Sequence, residues 1–208
     1  MRELSLYTGS GGGLLGTHLL GWQTVCAVEI EEYARDVLLK RQKDGLLPKF
    51  PIWDNAKTFN GEEWRGRVDV VTAGFPCQPF SVAGKRKGEL DERNMWPDTY
   101  RIIREVQPEF LLLENVPGLL AKRTETLYRT SLPIENEQIY CFEEGEEKDL
   151  LRIQFSASEI VLPSYFGRVL GDLAESGYDC RWKVLSAAEV GGSHKRDRVW
   201  IAAYSTSK

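Results

Sequence analysis

Apolar residues fall along this chain in short runs, and the stretches between the early runs carry helical periodicity. Leu4-Ser5-Leu6-Tyr7-Thr8, Thr24-Val25-Cys26-Ala27-Val28, Phe50-Pro51-Ile52-Trp53, the run 68–73 and Phe110-Leu111-Leu112-Leu113 predict strands. Between them, residues 14–20 predict a short helix. Glu31 to Lys43 predicts a polar helix with Tyr33, Ala34, Val37 and Leu38 on one face, and Trp96 to Val106 one with Tyr100, Ile103 and Val106 inward. Phe110 to Leu113 is nearly all apolar, the mark of a strand covered on both faces. Strand and helix alternate, which predicts an α/β domain with a mainly parallel sheet. Late in the chain, Tyr165 to Ser176 predicts a helix with Phe166, Val169, Leu170 and Leu173 on one face and Gly177 as its stop. Tyr178 to Leu185 and Val199 to Tyr204 then predict two further strands, expected as a late antiparallel pair.

Residues 122–163 break the rhythm. Between Glu135 and Asp149 there are seven acids and one base, so the segment is expected to be an acidic surface insertion, with a hairpin over 138–155. Its charge makes it a poor element for gripping nucleic acid. The 208 residues suit one domain with a sizeable core, here taken as 1–208. The net charge of −4 argues against a surface that is basic all over, though it leaves room for a local basic patch. Four cysteines without a CxxC pair argue against a metal site and for a reducing, cytoplasmic setting. The N-terminus is already a strand rather than a signal peptide, and no apolar run has membrane length.

The chemistry sits where predicted strands end. Gly9-Ser10-Gly11-Gly12-Gly13 joins the first strand to the first helix; glycines let the backbone approach a ligand, and a helix start offers free N–H groups. Glu29 closes the second strand, twenty residues after Gly9, the spacing of an acid that binds ribose hydroxyls. Asp54 closes the third, as a ligand or as a turn residue. After the fourth comes Gly74-Phe75-Pro76-Cys77-Gln78-Pro79-Phe80-Ser81, with one cysteine held between two prolines. A cysteine is ordinarily a small buried hydrophobe, but at the carboxyl end of a parallel strand it stands where such sheets keep their reacting groups. Lys85-Arg86-Lys87, bounded by glycines, follows as a loop suited to phosphates. Glu114-Asn115-Val116 follows the fifth strand, where a carboxylate is costly unless used or paired. Residues 191–198 form a basic turn carrying His194, Arg196 and Arg198; His194 is a turn residue, with no second histidine at metal spacing.

In this order, the glycine loop with its acid, the Pro-Cys-Gln loop, Glu-Asn-Val and Arg-x-Arg resemble the cytosine-5 DNA methyltransferases over residues 3–121 and 164–204. The resemblance implies a Rossmann-like S-adenosylmethionine-dependent methyltransferase fold, S-adenosylmethionine as methyl donor, double-stranded DNA as partner and a bacterial or phage restriction-modification setting. It implies cofactor contacts from Tyr7, Gly9, Gly11, Gly12, Glu29, Ile30, Asp54, Asn55 and Pro76. Cys77 matches the nucleophile, Glu114 the catalytic acid, and Arg196 and Arg198 the arginines around the flipped base. Gln78, Ser81, Lys85, Arg86 and Lys87 match DNA-contacting positions.

Two substitutions depart from the pattern: Tyr7 stands where Phe is usual and His194 where Gln is usual. The family's target recognition region and the segment that returns to the cofactor pocket have no counterpart in these 208 residues. Three expectations stand side by side: an active enzyme with minimal sequence choice, the catalytic part of a split enzyme with recognition on another chain, and a non-catalytic cofactor- or DNA-binding remnant. A dinucleotide oxidoreductase also fits the glycine loop and Glu29, but it leaves Pro-Cys-Gln and Glu-Asn-Val unexplained.

Overall fold

All seven predicted strands form, and they lie in one sheet. A computed structural model describes residues 1–76, 94–120 and 165–206. The strands are β1 (Arg2–Leu6), β2 (Gln23–Val28), β3 (Ile52–Trp53), β4 (Val70–Ala73), β5 (Phe110–Asn115), β6 (Tyr178–Ser186) and β7 (Asp197–Ser205). Their order is β3-β2-β1-β4-β5-β7-β6. β1 to β5 run parallel, while β7 pairs antiparallel with both β5 and β6. The helices are α1 (Gly12–Leu19), α2 (Glu32–Lys43), α3 (Trp96–Val106) and α4 (Tyr165–Glu175).

Strand alternation divides the core into two layers. Cys26 and Val28 join Leu4, Leu6, Val71, Leu111 and Leu113 in a large cluster with Ile102, Ile103 and Val106 of α3 and Val169 and Leu173 of α4. Ala27, on the opposite face of β2, packs with Leu14 of α1 and Leu38 of α2, together with Leu47 and Phe50. Successive strand residues point to opposite faces, so α3 and α4 cover one side of the sheet while α1 and α2 cover the other around β2.

A buried carboxylate fastens α1. Glu3, in β1, is 1% exposed. It accepts hydrogen bonds from the hydroxyls of Thr17 (2.7 Å), Thr24 (3.1 Å) and Thr72 (2.8 Å). These come from α1, β2 and β4, so one side chain ties a helix to three strands. Hydroxyl donors are what such a group requires once water is excluded.

Several expectations need correction. β1 ends at Leu6 because Tyr7 takes a left-handed conformation (φ 55°), which turns the chain out of the strand. Tyr33 is 79% exposed rather than inward, and α2 buries only Ala34 and Leu38. In α3 the fully buried residues include Ile102, which the sequence left out. β5 is not covered evenly on both faces. Its residues alternate, with Leu111, Leu113 and Asn115 buried and Phe110 exposed. β7 begins at Asp197, so Arg198 stands on a strand rather than in the preceding turn. The insertion at 122–163 lies outside the described residues.

Candidate active site

The parallel strands β1 to β5 all end on one edge of the sheet, and the antiparallel β7 starts there. This is where an open α/β sheet gathers its ligands. The first cluster joins the ends of β1 and β2. Gly9 (φ 57°) and Gly11 (φ 87°) adopt backbone that favours glycine, and a Cβ on Gly11 would lie 2.8 Å from Leu38 Cδ2. Around Gly12 and Gly13 the space is open, with nothing within 4 Å of a built Cβ. α1 starts at Gly12 with no side-chain cap and no acid in its first turn, so no side chain of its own offsets its positive end.

Glu29 is buried at the end of β2. Its Oε2 accepts the Gly9 N–H at 2.6 Å and its Oε1 accepts the Glu31 N–H at 2.8 Å. Both oxygens keep lone pairs for further donors. Ile30 beside it is 63% exposed, an apolar side chain held open at the mouth of the cluster. Glu29 N–H donates to the Trp53 carbonyl at 2.9 Å, which brings the end of β3 alongside. Asp54 is exposed there. Asn55 turns its Oδ1 back onto the Lys57 N–H (2.9 Å), so its side chain shapes the turn. The Tyr7 phenol leaves the glycine loop for α3, bonding Thr99 Oγ1 at 3.0 Å and reaching the Met95 carbonyl at 3.3 Å. Burial pushes it up to about 12, so it stays neutral.

The second cluster joins β4, β5 and β7. Glu114 Oε1 pairs with Arg198 Nε at 2.6 Å, each side chain about a quarter exposed. Opposite registers set this up: Glu114 faces Trp200 across the β5–β7 ladder, two residues from Arg198. Arg198 Nη1 also donates to the Asp197 carbonyl at 2.7 Å, fixing the guanidinium. A Cβ on Gly74 would stand 3.1 Å from Glu114 Oε2, so glycine at the end of β4 keeps that oxygen clear. Arg196 is exposed just before β7. Pro76 is the last described residue of the β4 loop; Cys77, Gln78, Ser81, Lys85, Arg86 and Lys87 lie outside the described residues.

The sequence places Asn115 in the Glu-Asn-Val motif but assigns it no role of its own. It is buried, its Nδ2 donates to the Phe75 carbonyl at 3.1 Å and its Oδ1 accepts the Val116 N–H at 2.8 Å. It therefore ties the loop that leads to Cys77 onto the end of β5. Among the described residues no group of three or more His, Cys, Asp or Glu is placed to hold a metal ion, and no helix is long and apolar enough to cross a membrane.

A family model for C-5 cytosine-specific DNA methylases matches residues 1–140 and 162–208. The type II methyltransferase M.NgoMIV of Neisseria gonorrhoeae is 30% identical over 201 residues, covering 97% of this chain and 51% of that protein. M.FnuDI of Fusobacterium nucleatum is 27% identical over 206 residues, covering 98% of this chain and 47% of that protein. The chain thus spans about half the length of the curated relatives it matches. Among solved structures, the Schizosaccharomyces pombe Dnmt2 methyltransferase superposes with a TM-score of 0.64 at 20% identity, over 100% of this chain and 52% of that one. Spodoptera frugiperda DNMT2 does so with a TM-score of 0.65 at 19% identity, over 99% and 50%. The fold is that of these methyltransferases.

Proposed function

This chain belongs to the C-5 cytosine-specific DNA methylase family, and from that membership and the geometry of its strand ends we propose that it methylates carbon 5 of cytosine in double-stranded DNA. The observation that carries this reading is the Glu114–Arg198 pair at the end of β5, beside the Gly74–Pro76 turn that runs into Cys77. A carboxyl group held by a fixed guanidinium, next to a loop with a cysteine, is the donor set that attack on a pyrimidine ring requires.

S-adenosylmethionine supplies an electrophilic methyl group. The residues at the ends of β1 and β2 fit it by chemistry: an uncapped helix start for its carboxylate, Glu29 for the ribose hydroxyls and exposed Ile30 for the adenine face. Tyr7, Gly9, Gly11 and Gly12 shape that loop, and Asp54, Asn55 and Pro76 would complete the hold on the cofactor.

On the substrate side, carbon 5 of cytosine is too poor a nucleophile by itself. The Cys77 thiolate adds to carbon 6, forming a C–S bond and moving electron density towards carbon 5. The Glu114 carboxyl group meets ring nitrogen 3 and stabilises the charge that gathers there. Arg198 orients Glu114 and faces the exocyclic oxygen, and Arg196 meets the phosphates beside the base. Carbon 5 would then take the methyl group as the sulfonium S–CH3 bond breaks and S-adenosylhomocysteine leaves; a base removes the carbon 5 proton, the ring double bond reforms and the Cys77 thiolate is released. The target atom is inaccessible inside a duplex, so the cytosine is flipped out, at a cost of a few kcal/mol. Gln78, Ser81, Lys85, Arg86 and Lys87 contact the DNA and offset part of that cost.

The test is methyl transfer from labelled S-adenosylmethionine to duplex DNA, with nucleoside analysis of the product. 5-Methylcytosine formed by this chain alone supports the proposal. Product formed only after a second polypeptide is added makes it the catalytic part of a split enzyme. No product under either condition, with cofactor still bound, identifies a binding remnant.

A further inference from the structure

We propose that Arg35, in the first turns of α2, is a positioning residue for the adenosine end of the cofactor site; the inference rests on the reading of Glu29 and Ile30 given above. Three residues, Glu29 to Glu31, separate the end of β2 from α2. In that space Glu29 must turn its carboxylate towards Gly9 while Ile30 stays 63% exposed. An exposed apolar side chain in a short connection has nothing of its own to hold it. Arg35 supplies the hold from behind. Its Nη1 donates to the Glu29 carbonyl at 3.1 Å and also to the Ile30 carbonyl.

The second of these bonds matters most. The Ile30 carbonyl and the Glu31 N–H belong to one planar peptide unit. Arg35 holds the oxygen end of that plane, and Glu29 Oε1 holds its N–H end at 2.8 Å. Rotating the plane breaks both bonds together, so the guanidinium and the Glu29 carboxylate are coupled through a rigid group. α2 gives the arginine a fixed base: Arg35 N–H bonds the Glu31 carbonyl at 3.0 Å, and Ala34 and Leu38 are buried beneath it. Without the guanidinium, the 30–31 peptide turns freely, Glu29 loses one of its two N–H donors and Ile30 loses its placement.

The test compares Arg35→Met, which keeps the stem but no donor, with Arg35→Lys, whose ammonium keeps the charge but stands one bond short of the Nη1 that bonds both carbonyls. Calorimetric binding of S-adenosylhomocysteine and of adenosine is measured for each, with a thermal melt of the unliganded chain. Loss of a charge-assisted pair predicts about ten-fold weaker binding for Arg35→Met, by the same factor for both probes, with Arg35→Lys in between and the melt little changed. Binding by Arg35→Met within two-fold of the unsubstituted chain overturns the inference, as does a loss confined to S-adenosylhomocysteine. Should Arg35→Met not fold, equal binding by Arg35→Lys and the unsubstituted chain overturns it. Failure of the unsubstituted chain to bind either probe, or unchanged binding in Glu29→Ala, overturns the cofactor-site reading and the inference with it.

Discussion

Replacing Glu3 by alanine should loosen the attachment of α1, the helix that carries the glycine loop. Three hydroxyls point at this carboxylate, and the variant treats them differently. Thr17 keeps a second acceptor, the Leu14 carbonyl at 3.2 Å. Thr24, buried between strands, has no other partner among the described residues, and neither does half-buried Thr72, which water can reach. An abandoned buried polar group costs about 1–3 kcal/mol, so Thr24 in full and Thr72 in part, with the lost packing, come to about 3 kcal/mol. An unfolding entropy of about 2.1 cal/mol/K per residue converts this to a fall in Tm of about 7 °C. Glu3→Gln retains an acceptor oxygen, and the hydroxyls can rotate to accept from its NH2, so the loss should be about 1 kcal/mol, or about 2 °C. Scanning calorimetry of the unliganded chain reads both. A Glu3→Ala variant melting within 2 °C of the unsubstituted chain would refute the anchoring role. So would a Glu3→Gln variant as unstable as Glu3→Ala, since that would place the energy in charge rather than in satisfied hydroxyls.

Other outcomes follow from single residues. Asn115→Ala frees the Phe75 carbonyl and the Val116 N–H, so it should destabilise by about 2 kcal/mol and slow methyl transfer far more than it weakens S-adenosylhomocysteine binding; equal losses in the two assays would contradict its role in holding the Cys77 loop. Burial pushes the thiols of Cys26 and Cys180 up to about 12, with Asp179 adding to the effect at Cys180. Both should therefore resist iodoacetamide at pH 8 in the folded chain, and mass mapping that finds either one alkylated first would contradict this. The Arg2 hydrogen bonds hold the Asp69 carboxyl below its ordinary value. A depressed carboxyl stabilises above its unfolded pKa and ceases to do so as pH falls through its folded one. The Tm difference between the unsubstituted chain and Asp69→Asn should be present at pH 7 and shrink on acidification below about pH 4; a difference that grows on acidification would refute the linkage.

Much of this site was legible because its parts are local. The glycine loop and Glu29, twenty residues apart, meet through the Gly9 N–H as strand-turn-helix spacing requires. A carboxylate after an apolar strand needs a use or a partner, and Glu114 has one in Arg198. What escaped depended on contacts between distant segments. Nothing in the positions 3, 17, 24 and 72 announces a shared hydrogen-bond cluster until β1, β2, β4 and α1 are assembled. Arg35 sits on a polar helix face, where an arginine is ordinarily solvated, and only the bend at Glu29 to Glu31 brings two carbonyls within its reach. The even cover expected over β5 failed because an apolar run records what residues prefer, not which face a neighbouring helix occupies. Here α3 and α4 pack on the side of Leu111 and Leu113. Tyr33 shows the same limit: its place in the helical period fits an inward face, but the packing centre of α2 lies on Ala34 and Leu38.

Methyl transfer through a cysteine adduct is tested most directly by covalent trapping. The chain is incubated with S-adenosylmethionine and duplex DNA carrying 5-fluorocytosine, then denatured. Fluorine on carbon 5 cannot be removed as a proton is, so the final elimination stalls and the protein stays bonded to the base. A cofactor-dependent, denaturation-resistant protein–DNA adduct, abolished in Cys77→Ser, is the predicted result. An adduct that persists in Cys77→Ser, or methylation of ordinary duplex DNA with no trapping on the fluorinated one, would contradict it.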